Sequence, residues 1–370
     1  MRTVLFDYQA FAMQRVGGVS RYFAELIAHL RRRAVVLAQV PLVYSDNVYA
    51  TDLLGIAPRP ALYRYGKRGA RLAHAWANGS NQRALRRALS VAQDPIVHPT
   101  YYHPYVTTLR GSHKLVVTVY DMTHERFPEV LPDPVTVRNK RTVMESADAI
   151  IAISESTKRD IAEFYPHLQE KTTVIHLAGS LTGPAKDGVS IDPSFERPYV
   201  LFVGSRSHYK NFTGCAHAVS SLVPQYPDLL LVCAGGGALT KEEHELLASL
   251  GIGDRTQQVE VDDTQLAGLY ARAEAFVFPS RYEGFGLPVL EAMACGAPCL
   301  LSETSSLPEV GGDCALYFDP ANVDGIAQVL DQVLGNDSLA QRLRESGFER
   351  ARQFSWDACA RKHEEVYSAL

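Results

Sequence analysis

A chain of 370 residues with 37 Lys and Arg against 41 Asp and Glu carries a formal charge of −4, and 46% of it is hydrophobic. At roughly 100–200 residues per domain, this length predicts two domains with ordinary cores and excludes intrinsic disorder. The charge balance argues against a nucleic-acid binder, no apolar run approaches the ~20 residues of a bilayer span, and the start MRTVLFDYQAF is no signal peptide.

The first predicted strand, 3–6, leads to Gly17-Gly18, a pair that permits close approach to a ligand, and then to a helix over 20–32. A strand over 35–40 follows. Between Leu53 and Gln93 no acidic residue occurs, while Arg59, Arg64, Lys67, Arg68, Arg71, Arg83, Arg86 and Arg87 do, with Tyr63, Tyr65 and Trp76 among them. That segment reads either as a solvated helical face or as a surface for anionic lipid headgroups. Strands over 96–98 and 115–120 end in polar stretches, His98-Pro-Thr-Tyr-Tyr and Tyr120-Asp-Met-Thr-His-Glu. There Asp121 and His124 are candidates to bind or orient an acceptor hydroxyl. A strand over 149–153, a helix over 155–164 and a strand over 173–177 close the first half. Residues 178–198, rich in Gly, Pro, Ser and Asp, read as a linker.

The alternation then restarts, with strands over 199–203, 229–234, 258–261, 275–278, 298–301 and 315–318 and helices over 263–273, 288–295 and 323–334. Short apolar strands alternating with amphipathic helices predict two doubly wound parallel α/β domains facing across a cleft, whose ligands bind at the carboxyl ends of the strands. After the strand 199–203 comes Gly-Ser-Arg-Ser-His-Tyr-Lys, where Arg206 and Lys210 can set two cations over a diphosphate. Gly235-Gly236-Gly237 lacks the dinucleotide spacing. In the stretch from Ser280, Glu283 and Glu291 bracket Gly284, Phe285, Gly286 and Leu287 ahead of a helix that starts near Pro288. Its N–H groups and positive dipole end suit phosphate or sugar hydroxyls, and the carboxylates suit vicinal hydroxyls. Alternatively the glycines make a tight turn and Glu291 complements the dipole from the first helical turn. No D-x-D triplet or metal-ligand spacing occurs. The six cysteines, without C-x-x-C spacing, read as small hydrophobes of a reducing compartment, so a soluble cytoplasmic protein is expected.

In order and spacing these segments resemble family 4 of the retaining glycosyltransferases, which have the GT-B fold. The resemblance rests on EGFGLPVLE, which carries the family's E-x7-E motif, and on GGVSRYF, HPTYY, TVYDMTHE, ADAIIAISESTKRDI, YVLFVGSRSHYKN, SSLPEVGGDCALYFDP and the terminal FSWDACARKHEEVYSAL. It implies an N-terminal acceptor-binding domain over 1–180, a nucleotide-sugar-binding domain over 198–355, and a terminal helix, 356–370, returning to the first. Glu283 would contact the donor sugar, Glu291 the nucleotide ribose, Lys210 the diphosphate with Arg206 as a shifted partner, and Gly284–Leu287 the sugar and diphosphate. Gly17-Gly18 would close over the diphosphate; at the strand ends His98 and Tyr120 are further candidate substrate-binding residues. Where many relatives carry a His near the reacting sugar, this chain has Tyr120.

The resemblance implies retention of configuration, with the acceptor attacking from the leaving-group face, and neither metal nor cofactor. Mannosyl transfer from GDP-mannose to a saccharide or lipid-linked acceptor of a bacterial surface polysaccharide is the leading expectation, at the inner face of the membrane. A UDP-sugar donor is the runner-up. A sugar-nucleotide epimerase on the same fold and a non-catalytic scaffold are the other classes.

Overall fold

Parallel strands covered by helices on both faces must be apolar on both, so their sequences read as uninterrupted apolar runs. In the computed structural model every residue of Tyr199–Val203 and Leu230–Ala234 is buried. The structure describes residues 1–57, 67–109, 111–181 and 197–370, and the backbone alone over 67–71. Arg59, Tyr63, Arg64, Tyr65, the side chains of Lys67, Arg68 and Arg71, and most of the expected linker (182–196) lie outside the described residues.

Packing divides the chain into two units, Met1–Leu177 with Trp356–Leu370, and Ala178–Ser355. The first contains β1 (Thr3–Phe6), α1 (Gln9–Met13), α2 (Gly18–Arg33), β2 (Leu37–Gln39), α3 (Val48–Asp52), α4 (Lys67–Val91), β3 (Ile96–His98) and β4 (Lys114–Val119). It continues through α5 (Thr123–Arg126), α6 (Pro134–Ser146), β5 (Ala149–Ala152), α7 (Glu155–Phe164) and β6 (Thr172–Val174). Its sheet is parallel, in the order β2-β1-β3-β4-β5-β6, with Leu5 opposite both Gln39 and Val97. The order reverses between β1 and β3, which makes that crevice the switch point of the sheet.

The second unit contains β7 (Tyr199–Val203), α8 (Phe212–Leu222), β8 (Leu230–Ala234), α9 (Lys241–Ser249), β9 (Thr256–Val259), α10 (Asp263–Arg272) and β10 (Ala275–Phe278). After these come α11 (Leu287–Cys295), β11 (Cys299–Ser302), α12 (Leu307–Gly311), β12 (Leu316–Phe318), α13 (Val323–Leu334) and α14 (Asp337–Arg352). Its parallel order is β12-β11-β10-β7-β8-β9, so the reversal falls between β7 and β10. The final helix, α15 (Trp356–Ala369), packs on α2 in the first unit.

Three strands depart from expectation by two residues or more at an end. β2 and β6 are three-residue edge strands where 35–40 and 173–177 were expected, and β9 runs two residues ahead of 258–261, whereas β4, β5, β8, β11 and β12 shift by a single residue. All three are edge strands with partly exposed residues, where burial contrast is weakest.

Buried polar groups fasten α15 to the first sheet. The His363 Nδ1–H donates to the Cys359 carbonyl at 2.8 Å, which leaves Nε2 to accept from the Tyr22 hydroxyl at 2.9 Å. Tyr367 bonds His98 Nδ1 at 2.7 Å, and Thr118 meets His98 Nε2 at 2.9 Å. Burial holds both rings neutral, with His98 well below the ordinary histidine range and His363 lowered to about 4. At the rim Arg33 pairs with Glu364 at 2.9 Å and with Asp357 at 3.1 Å.

Candidate active site

The second unit's switch point is built by the turns that follow β7 and β10. After β7, Gly204 adopts φ 115° and its N–H donates to the Ala234 carbonyl at 2.9 Å. The chain then makes a short turn over His208–Lys210 into the left-handed Asn211, whose amide donates to the Pro320 carbonyl at 2.8 Å and anchors the start of α8. This delivers Lys210 to Glu283, with Nζ donating to Oε1 at 2.5 Å. The two side chains are 16% and 13% exposed, so the pair is largely shielded but reachable. The ammonium also lies 5.2 Å from the Tyr209 ring centroid and 5.3 Å from that of Phe278, positions that favour a cation.

The loop carrying Glu283 is held from below by the turn after β11. Its N–H donates to Ser305 Oγ at 2.9 Å, and the buried Ser306 hydroxyl donates to the carbonyls of Glu283 and Phe285, both at 2.9 Å. Gly286 then caps α11 with φ 105°, where a Cβ would also stand 3.0 Å from Leu307. No side chain caps this helix and no acidic residue occupies its first turn, so its dipole end is left for a ligand. Glu291 lies in the second turn of α11, not the first, and a first-turn dipole role is therefore corrected. Burial, reinforced by the nearby Glu291 carboxylate, pushes the Cys295 thiol up to about 12, so that cysteine is a neutral packing group.

Arg206 is not beside Lys210. Its side chain is 2% exposed and pairs with Glu243 through Nε at 2.9 Å. Its remaining nitrogens donate to the carbonyls of Gly235 at 3.0 Å, Gly237 at 2.7 Å and Ala238 at 3.0 Å. A guanidinium so committed cannot also hold a diphosphate, which corrects its expected catalytic role: it clamps the glycine loop after β8. That loop needs glycine for closeness, since a Cβ on Gly236 would come within 2.7 Å of the Gly204 carbonyl.

In the first unit the expected residues do not converge on one place. His98 is fully buried with both ring nitrogens bonded, so its expected substrate-binding role is replaced by a structural one. The Tyr120 hydroxyl donates to the Thr100 carbonyl at 2.9 Å. Asp121 accepts the Thr123 N–H at 2.9 Å, whereas the His124 ring meets the Leu131 carbonyl at 3.3 Å and lines a cavity of about 700 Å3 with Pro128, Val137 and Phe164. Gly17 and Gly18 form the start of α2, which no side chain caps. Sequence reasoning missed Asp7, a buried carboxylate directly after β1. It accepts from the Thr100 N–H at 2.8 Å, the Thr100 hydroxyl at 2.7 Å, the Gln9 amide at 2.6 Å and the Tyr105 hydroxyl at 2.8 Å, tying the ends of β1 and β3 together. Its only sequence signal is an acid at a strand end. Ser305 and Ser306 were visible only as part of SSLPEVGG.

Two doubly wound parallel units, one with a lysine–glutamate pair and an uncapped helix start at its switch point, fit a glycosyltransferase. Comparison with known proteins agrees. The model for glycosyl transferases group 1 matches residues 191–350 and that for glycosyltransferase family 4 matches 16–178. O-antigen chain mannosyltransferase B of Escherichia coli is 30% identical, over 76% of this chain and 76% of that protein. Alpha-maltose-1-phosphate synthase of Mycobacterium tuberculosis is 27% identical over 95% of each. Among solved structures, sucrose-phosphate synthase from Thermosynechococcus elongatus superposes with a TM-score of 0.74 at 20% identity, covering 100% of this chain and 98% of that one. The chain belongs to glycosyltransferase family 4.

Proposed function

We propose that this transferase moves mannose from GDP-mannose, with retention of configuration and without a metal, to a saccharide or lipid-linked acceptor in bacterial surface-polysaccharide synthesis. The observation that carries the proposal is the Lys210–Glu283 pair beside the uncapped start of α11. As the C1–O bond to the diphosphate breaks, negative charge grows on the leaving group. Lys210 and the N–H groups of α11 stabilise it in a shielded site, where fixed charges act strongly. The acceptor oxygen bonds to C1 from the same face, and its proton passes to the departing phosphate oxygen. Glu283 positions the sugar and Glu291 the ribose hydroxyls. The name of the E. coli relative supports mannose and a surface polysaccharide.

We further propose a peripheral contact with the cytoplasmic face of an anionic membrane. Among the described residues no helix is long and apolar enough to cross one. On α4, however, Leu72 and Trp76 are 75% and 55% exposed, with Arg83, Arg86 and Arg87 exposed further along. Each basic residue near such a surface contributes about 1 kcal/mol, so replacing the three arginines by serine is expected to weaken binding to phosphatidylglycerol vesicles while leaving donor hydrolysis intact.

Thermal unfolding with excess GDP, UDP, ADP, GDP-mannose, UDP-glucose or NAD, with and without EDTA, tests the donor. Ligand at ~100 times its dissociation constant adds about 2.7 kcal/mol. Selective stabilisation by GDP and GDP-mannose, insensitive to EDTA, is expected. UDP selectivity would move the donor to a UDP-sugar, and stabilisation by no nucleotide would sink the reading.

A further inference from the structure

The loop that carries Glu283 is held by the turn 304–307, in which the Thr304 carbonyl accepts the Leu307 N–H at 3.2 Å. The first central residue of that turn, Ser305, has φ 53°, and the second, Ser306, has φ −86° and ψ −7°. A positive φ followed by a negative one is the II′ arrangement, where glycine ordinarily takes the first place because a Cβ is strained there. The other non-glycine residues with positive φ among the described residues have ready reasons. Ala34 closes α2, and Asp94 and Asn211 are of the types that tolerate this region. Ser305 has no such reason in its backbone.

What a serine offers there, and a glycine does not, is a hydroxyl. Ser305 Oγ accepts the Glu283 N–H at 2.9 Å, while the neighbouring hydroxyls of Thr304 and Ser306 donate to the carbonyls of Ser280, Glu283 and Phe285. Three successive hydroxyls thus clasp 280–285 from one side. Further along the loop the Arg281 N–H donates to the Tyr209 carbonyl at 2.8 Å, tying it to the turn that delivers Lys210. Misplacing a reacting group by about 1 Å costs on the order of 10²-fold in rate.

We infer that Ser305 is a positioning residue for transfer: its positive φ sets Oγ against the Glu283 N–H and so fixes the carboxylate that meets Lys210. The inference rests on the reading of Glu283 as the residue that positions the donor sugar.

Two variants separate the hydroxyl from the fold. Ser305→Ala removes Oγ and keeps the strained backbone; Ser305→Gly removes both, and is expected to melt at or above the alanine variant. Both are expected to lower kcat for GDP release from GDP-mannose equally, by about 10–100-fold. Thermal stabilisation by GDP, which has no sugar for Glu283 to meet, should stay unchanged. In residue-resolved hydrogen exchange the Glu283 N–H should exchange about tenfold faster in both, the effect of one lost hydrogen bond. A merely structural serine would instead let activity recover with stability in the glycine variant. Wild-type kcat in that variant, or an unchanged Glu283 N–H in both, overturns the inference. Slow turnover by Glu283→Ala beside fast turnover by both Ser305 variants would strike the inference alone. Wild-type turnover by Glu283→Ala would strike the reading of Glu283, and the inference with it. If the wild-type chain releases no GDP from GDP-mannose, the donor reading falls, and exchange at the Glu283 N–H decides whether Ser305 holds it.

Discussion

Between β7 and β10 the carboxyl ends of the second sheet present a charge pair, Lys210 with Glu283, against two aromatic rings and a bare helix start. Between β1 and β3 the first sheet presents tyrosines, amides and the imidazoles of His74 and His103, with no lysine, arginine, aspartate or glutamate among the described residues. Both places follow from the same backbone rule, since each is where the strand order reverses. The difference lies in the chemistry each turn carries. A leaving diphosphate needs a fixed cation, whereas a sugar hydroxyl needs oriented, uncharged partners. Fold alone would have made the two crevices equivalent; side chains make one electrostatic and the other polar and flat.

The contrast can be broken or sharpened by experiment. The largest effect is expected from Arg206→Ala, because it leaves Glu243 and three loop carbonyls without their partner. Removing one member of such a buried pair costs about 3–5 kcal/mol, to be read by denaturant unfolding. Loss of transfer with unchanged stability would instead return Arg206 to the diphosphate. Lys210→Ala is expected to lower kcat on the order of 10²–10³-fold while the chain keeps its circular dichroism and melting profile, and Glu283→Ala to lose transfer in the same way. Near-wild-type rates in both variants would remove the second crevice from catalysis.

A pH titration probes the first unit. Its two neutral histidines have folded pKa values below the unfolded ~6.5, so the unfolded chain binds more protons between there and about 4. Stability is therefore complete above ~6.5 and falls with acidification, by about 1.4 kcal/mol per pH unit for each ring. His363→Gln should flatten that slope; an unchanged slope would mean the ring titrates normally. The smallest effect is expected at Glu291, where replacement by Ala should weaken GDP about tenfold in a thermal-shift titration, the worth of about one hydrogen bond to a charged group.

What could be read from the sequence divides along the same physical lines. Central strands such as β7 and β8 announce themselves because every residue is apolar, and the Glu283–Glu291 stretch does so because a local backbone need imposes Gly286 and Pro288. Edge strands β2 and β6 carry no such contrast. Arg206 looked like a phosphate ligand because its true partners, Glu243 and the glycine-loop carbonyls, lie some 30 residues on. His98 looked available because its partner Tyr367 stands 269 residues away. The cavity between the turns after β1 and β3 is assembled from four separate segments, and nothing local to Asn78 or Asn139 marks them.

The return of α15 to α2 has a consequence for biosynthesis. The first unit is discontinuous, with the second inserted between Leu177 and Trp356. Until residues 356–370 leave the ribosome, Tyr22, Arg33 and His98 lack the partners that His363, Glu364 and Tyr367 supply. Domains ordinarily fold in the order of synthesis. Here the unit that emerges first is the one completed last, and its exposed sheet must wait, unsealed, while the second unit folds.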